Sequence, residues 1–543
     1  MKDDMKFALS LSSILFSVLV IQAELHAAPP NVIYIMADDL GIGDVKCYGR
    51  DRCQINTPNF DRLAREGMRF TDAHSQASHC IPTRMAIMTG RYPWRFQRPR
   101  PDGRWGYLNP RIETTRLTLG KLMKQAGYRT GYIGKWHLGT QMQTTDGKNQ
   151  GLKNVDYSKP IKIGPASYGF DYSWILPGSL DMYPYVYLQN HKFIGQVTAQ
   201  KGWSAFNRVG PAAKDFQDHE VLDTFSQEAE QFIARQAKAA KDGKPFFLYF
   251  ALTSPHTPIS PNRKFLGKSR LGIYGDFVAE TDDCIGRVLA ALDKHGIAKN
   301  TLVIATSDHG AGAYAGNIRK ATPNQIHLLE KKGHYSSGIY RGFKFSCYEG
   351  GLRVPFVVRW PKVVRPGSTC DRLVGLCDLM STLADIGSIQ LKKQDAPDSI
   401  SFRRLLHRPS AAGLRSSLVM QSARSFVIRD QQWKLTICPG SGCNGRWGNR
   451  PRSQDAWRKA VKEFGKRARP SELLQAPFVQ LFDMSVDPGE TRNLAKQYPG
   501  KIRRLVAELE RINRNGTSRA GQKLNGIRRV NILAGVPKFV VAK

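Results

Sequence analysis

The stretch SHCIPTRMAIMTGRY, residues 78–92, sets a cysteine two residues before a proline and four before an arginine. Pro82 suits the first turn of a helix, where its missing N–H would have had no partner. Thr83, Met85, Ile87 and Met88 carry the helix on. Cys80 is therefore expected at the positive end of a helix dipole, where a negative group is stabilised. Arg84 lies one turn in and can reach back to an anion. On residue types alone this is a low-pKa nucleophilic thiol, which needs a nearby histidine base.

Further polar groups cluster at the ends of apolar runs. NVIYIMADD (31–39) ends in Asp38 and Asp39, FFLYFALTSPH (246–256) in His256, and TLVIATSDHG (301–310) carries Asp308 and His309 near its end. Three carboxylates suit a hard cation, Ca²⁺ or Mg²⁺, and the imidazole also admits Mn²⁺. Two aspartates at a strand end, taken alone, read as a turn or cap. Neighbours on a strand face opposite ways, so Asp308 and His309 converge only where a metal or a bend turns both inward.

The runs that carry these groups are apolar on both faces, which fits buried strands of a mostly parallel sheet. Helical spacing with a glycine stop marks NFDRLAREGM (59–68) and TLGKLMKQAGY (118–128), and a longer helix covers 274–296. The alternation predicts an α/β fold: a large doubly wound mixed sheet flanked by helices, with polar sites beyond the carboxyl ends of its strands. Segments 141–168, 190–220 and 310–340 read as long loops over the site. A helix is expected over 377–387, a hairpin around Asp430-Gln431, and a strand, turn and helix start over 479–495. A basic helix, KIRRLVAELERINR, follows from Lys501. Residues 28–395 are expected to form the catalytic domain and 396–543 a smaller C-terminal α+β domain of antiparallel sheet and helix with a basic tail.

Residues 1–27 read as a secretory signal peptide: Lys2 and Lys6, the apolar FALSLSSILFSVLVI, then small residues at Ala23 and Ala27. No later run is long and apolar enough for a stable membrane span. The expectation is an exported protein, periplasmic or extracellular. Its 81 Lys and Arg exceed its 45 Asp and Glu by 36 charges, which favours polyanionic partners. Export makes sulfated or carboxylated glycans better candidates than nucleic acid, for which no recognition motif is present. Export also permits disulfides among the nine cysteines, and Cys47/Cys53 and Cys438/Cys443 are close pairs that could bridge.

CIPTRMAIMTGR resembles the signature of the formylglycine-dependent sulfatases, the arylsulfatase type within the alkaline phosphatase-like superfamily. Other blocks occur in that family's order: NVIYIMADDLGIGDVKCYG, GYRTGYIGKWHLG, GFDYSWILPGSLDM, SPHTP, TSDHG and YRGFKFSCYEGGLRVPFVVRWP, spanning about residues 31–495. The resemblance implies that a formylglycine-generating or sulfatase-maturing enzyme oxidises Cys80 to formylglycine, whose hydrate attacks sulfur. It further implies that Asp38, Asp39, Cys80, Asp308 and His309 surround the metal, Ca²⁺ first. Arg84 then fixes the nucleophile, beside Lys135 and His137, with His137 the base for sulfate expulsion. His256 and Lys344 serve the leaving oxygen and sulfate, Ser179 contacts sulfate, and His334 is a further expected pocket residue. Thr83 stands where serine is commoner, and His309 where many relatives have asparagine.

The implied activity is hydrolysis of sulfate monoesters, with sulfated polysaccharides or their oligosaccharides as substrates. Two alternatives share parts of the pattern. A related phosphatase or phosphonate monoester hydrolase often uses Ser or Thr as nucleophile or needs two metals. A glycan-binding protein with a degenerate site would lack catalytic positions, and none is missing.

Overall fold

The computed structural model describes residues 29–96, 103–202, 207–315, 326–413, 415–422, 425–438, 440–442, 479–526, 529–530 and 532. The signal-peptide segment and Cys443 lie outside them. In chain order the elements that build the site are β1 (Asn31–Asp38), α1 (Cys80–Thr89), β2 (Arg129–Lys135), β3 (Tyr172–Leu176), α2 (Val221–Lys241), β4 (Phe246–Pro255), α3 (Ile273–Lys294), β5 (Thr301–Ser307) and β6 (Phe356–Arg359). They belong to a ten-stranded sheet whose centre runs β6-β5-β1-β4-β2-β3. All these pairs are parallel except β5–β6, so the sheet is mixed.

Every residue of β1, β4 and β5 is buried. Alternate side chains serve two cores: Ile33, Ile35, Leu248 and Phe250 with α2 and α3, and Val32, Tyr34, Phe247 and Tyr249 with the opposite layer. On that opposite side α1 packs beside the helices Leu119–Gln125 and Leu379–Ile386. Strands buried on both faces cannot alternate in polarity, which is why their sequences are continuous apolar runs.

The smaller antiparallel sheet is made of β7 (Leu418–Ser422), β8 (Ser425–Arg429), β9 (Trp433–Thr436) and β10 (Gln480–Asp483), joined in that order. Helix α4 (Pro499–Asn515) packs on β8 and β9 and buries Ile502, Leu505, Leu509 and Ile512. The expected hairpin is β8–β9. The helix start expected by residue 495 is corrected: 484–498 form turns, because Asp487 accepts the backbone N–H groups of Thr491 and Arg492 and holds the chain in a loop up to Pro499. The Cys47/Cys53 pairing is corrected as well, while the Cys438/Cys443 pairing involves a residue outside the described ones. Cys47 and Cys53 are separate thiols, and the sulfur beside Cys438 is that of Cys347, 3.9 Å away.

Candidate active site

Each cluster expected to do chemistry sits where a strand stops. At the end of β1 the register against β4 shifts between Met36 and Asp38, and Asp39 takes a left-handed backbone, φ 64°. That break lets Asp38 and Asp39 share one side. β5 ends at Ser307, so Asp308 and His309 lie past the alternation that would have opposed them. Asp39 then donates its backbone N–H to Asp308 Oδ1 at 3.2 Å, locking the two strand ends together. In β2, Gly134 has φ 112°, and a Cβ there would lie 1.8 Å from the Ala251 carbonyl oxygen. Glycine therefore lets β2 approach β4 closely enough to deliver Lys135.

Cys80 begins α1 with His79 as its extended cap. Its Sγ lies 3.3 Å from His309 Nε2, 3.6 Å from Asp38 Oδ1 and 3.5 Å from Lys344 Nζ. Arg84, one turn on, donates to Asp308 Oδ2 at 3.2 Å and to the Lys135 carbonyl at 3.1 Å, and stands 3.5 Å from Asp38. Lys135 Nζ meets Asp38 Oδ2 at 2.5 Å, and Lys344 Nζ meets Asp39 Oδ1 at 2.7 Å. His256 lies 3.9 Å from Asp39 through Nε2. All of these side chains are buried.

Burial pushes the Cys80 thiol up, against the lowering pull of Lys135 and Lys344. The low-pKa thiol suggested by the helix terminus is thus corrected: desolvation and the nearby carboxylates outweigh the dipole. Burial alone would also raise Asp38, but Lys135, His256 and Arg84 hold it well below the usual carboxylate range. Asp308 is raised by burial and by its neighbour Asp38. Burial, Lys135 and Arg84 hold His137 well below the ordinary imidazole value, so its ring is neutral at pH 7. Lys344 is pushed up by Asp39 despite its burial.

Donor atoms of Asp38, Asp39, Cys80 and His309 lie within 4.8 Å of one another, with Asp308 on their border. The set is rich in hard oxygen donors, and several of its donor atoms stand 3.3–3.6 Å apart. It fits a divalent cation with one nitrogen ligand.

His137 has φ 53° and donates its backbone N–H to the Pro177 carbonyl at 3.1 Å. That contact brings the Pro177–Ser179 segment beside it. The Ser179 hydroxyl is buried with no hydrogen-bond partner among the described residues, as is His137 Nδ1. His334 is different. Its Nδ1 accepts from the Gln54 N–H at 3.1 Å and its Nε2 meets Asp44 Oδ1 at 2.8 Å, with no side-chain exposure. The expectation that it lines the pocket is corrected: both ring nitrogens are committed, and His334 holds the 41–44 turn behind Asp39.

Tyr314 escaped the sequence reading. Its hydroxyl donates to Asp39 Oδ2 and lies 3.1 Å from Lys344 Nζ, with its ring 6.0 Å from that of His256. Its position five residues past His309 was the available signal, but a tyrosine in a Gly/Ala-rich loop carries no chemistry by type.

The mixed α/β sheet and this arrangement at its strand ends define a hydrolase of the alkaline phosphatase-like fold. Residues 30–389 match the family model "Sulfatase". The chain is 32% identical to an N-acetylgalactosamine-6-O-sulfatase of Bacteroides thetaiotaomicron, over 90% of this chain and 94% of that protein. It is 30% identical to human N-acetylgalactosamine-6-sulfatase, over 77% and 76%. A solved structure from work on glycosaminoglycan metabolism by Bacteroides thetaiotaomicron superposes with a TM-score of 0.74 at 30% identity, covering 90% of this chain and 99% of that one. The chain belongs to the sulfatase family and is a sulfuric ester hydrolase. Among the described residues no helix is long and apolar enough to cross a membrane.

Proposed function

We propose that this protein is an exported sulfatase that removes sulfate from sulfated polysaccharides or their oligosaccharides, with a 6-O-sulfated N-acetylgalactosamine unit as the first substrate to test. The observation that carries this reading is the meeting of Cys80, at a helix start, with Lys135, Lys344, Arg84 and three aspartates in one buried site. Such an array of fixed cations suits a transferring group whose negative charge is spread over several oxygens. The +36 charge and the names of the relatives support a polyanionic glycan as substrate. The basic start, apolar run and Ala27 boundary support export.

Cys80 is the precursor of the nucleophile. A formylglycine-generating or sulfatase-maturing enzyme converts it to formylglycine, whose hydrate supplies an oxygen nucleophile. The Sγ atom stands in for that oxygen. Asp38, Asp39, Asp308 and His309 would hold a divalent cation, Ca²⁺ in the first instance with Mg²⁺ or Mn²⁺ as alternatives, which when bound would supply Lewis-acid charge to the site. Arg84 and Lys135 orient the nucleophile and keep its anionic form stable. Lys344 binds a sulfate oxygen and His256 protonates the departing alcohol. His137, neutral at pH 7, accepts the proton released when sulfate is expelled.

The test is release of inorganic sulfate by the purified mature protein from 6-O-sulfo-N-acetylgalactosamine, its oligosaccharides and an aryl sulfate, beside the matching phosphate esters. The reading predicts sulfate release exceeding phosphate release on every matched pair. Preferential phosphate release would overturn it.

A further inference from the structure

Beside the Pro177–Ser179 segment stands a tryptophan in a conformation that tryptophan seldom adopts. Trp105 has φ 58°, in the left-handed region that disfavours any side chain with a Cβ. Gly106, the next residue, donates its N–H to the Tyr183 carbonyl at 2.9 Å, and a Cβ on Gly178 would lie 3.2 Å from the Gly106 Cα. Trp105 therefore adjoins the same wall that carries Ser179 and receives the His137 N–H.

The Arg208 guanidinium lies over this indole, with Cζ 3.5 Å from the ring centroid. Such stacking fixes the plane of the guanidinium. Its Nη1 donates to the Asp181 carbonyl at 2.8 Å and to Asp181 Oδ2 at 2.6 Å. The Asp181 side chain is 4% exposed, and that of Arg208 is 20% exposed. Among the described residues, Nη2 and Nε of Arg208 donate to nothing. A guanidinium gripped on one edge and one face, with two donors left over among the described residues, is built to receive a planar or tetrahedral oxyanion. A long, flexible arginine side chain is thereby held in place, and the strained Trp105 backbone persists because its surroundings hold it.

We propose that Arg208, stacked on Trp105 and braced by Asp181, is a specificity-determining residue that binds the anionic group of the sugar next to the sulfated one. The group is a carboxylate of a uronic acid or a second sulfate. The inference rests on the sulfated-glycan reading above and deepens it: Arg208 makes the enzyme select chains that carry repeated anions.

Binding to a Cys80→Ala protein separates this claim from turnover. Calorimetry would compare 6-O-sulfo-N-acetylgalactosamine with three of its disaccharides, in which the second sugar is a uronic acid, a sulfated neutral sugar or an uncharged sugar. Arg208→Gln in that background should weaken one or both anionic disaccharides at least about tenfold more than the monosaccharide, while the uncharged disaccharide tracks the monosaccharide. The anionic arms tell carboxylate from sulfate. Arg208→Lys keeps the charge but loses the planar fork and should recover only part of the lost selectivity. Equal weakening of all four ligands, or of none, overturns the proposal, with melting curves showing that each variant is folded. A sulfatase reading that failed would instead appear as absent sulfate release by the unsubstituted mature protein, whatever Arg208 does.

Discussion

Two buried clusters of this protein hold three carboxylates, three cations and at least one histidine, and on composition they are twins. One is the site at Asp38, Asp39 and Asp308 with Arg84, Lys135 and Lys344. The other joins Asp72, Glu349 and Glu490 to Arg353, Arg429 and Lys434, with His74 among them. In the second, as at Lys135–Asp38 and Lys344–Asp39 in the first, the charges meet at hydrogen-bond distance. Arg429 grips both oxygens of Asp72 at 2.7 and 2.9 Å, and Glu349 takes Arg353 at 2.7 Å, His74 at 2.8 Å and Lys434 at 2.9 Å. Lys434 also reaches Glu490 at 2.7 Å. Arg429 and Lys434 come from the small sheet and the acids Asp72 and Glu349 from the large body, so the network clamps one to the other.

In the first cluster several neighbours stand 3.3–3.6 Å apart, and the buried ring nitrogen of His137 and hydroxyl of Ser179 have no partner among the described residues. The lesson is that counting charges does not separate a working site from a clamp. Position does: the first lies past the ends of β1 and β5 with Cys80 against its carboxylates, and the second ties the small sheet to the large body.

The sharpest break of this comparison is Cys80→Ala. It should lower sulfate release by at least ~10⁴-fold, because the nucleophile is lost, while the melting temperature stays close to that of the unsubstituted protein. Glu349→Gln should do the reverse. Removing that charge leaves Arg353, Arg429 and Lys434 short of a partner and should cost about 3–5 kcal/mol of stability, read by chemical denaturation, with turnover per folded molecule retained. Lys344→Ala should lower kcat/KM by about 10²–10³ in steady-state assays of sulfate release. Calcium added to chelated protein at a hundred times its Kd should raise stability by about 2.7 kcal/mol, read as a higher melting temperature, and Asp39→Asn should abolish that rise.

The smallest effect is one of pH. Burial and the neighbouring Glu349 push Glu490 up to about 7 against the pull of Lys434. A carboxyl raised in the folded state binds more protons than in the unfolded one, so its stabilising contribution is full below its ordinary value of 4.5 and fades as pH rises to about 7. Glu490→Gln should flatten that part of the stability–pH curve.

Much of the site was legible because its chemistry lies on the ends of strands that announce themselves. Apolar runs as long as β4 and β5 admit few assignments, and Asp308-His309 could then be placed without knowing the bend past Ser307. Arg84 followed from helix spacing relative to Cys80. What was hidden depended on contacts between distant segments. His334 looked like a pocket residue because a histidine in a long loop has no partner in sequence, whereas Asp44 and Gln54 supply both partners in space. Tyr314, the Cys347–Cys438 approach and the clamp were hidden for the same reason: each joins residues whose separation in the chain carries no period. The stacking of Trp105 on Arg208 belongs with them, since both residues lie in irregular segments.

The central claim is that Cys80 serves as the precursor of an oxygen nucleophile. The direct measurement is the mass of the peptide spanning Cys80 from purified protein with full sulfate-releasing activity. The account predicts a residue that has lost H₂S and gained one oxygen, in proportion to specific activity across preparations. Full activity with an unmodified thiol at position 80 would contradict it.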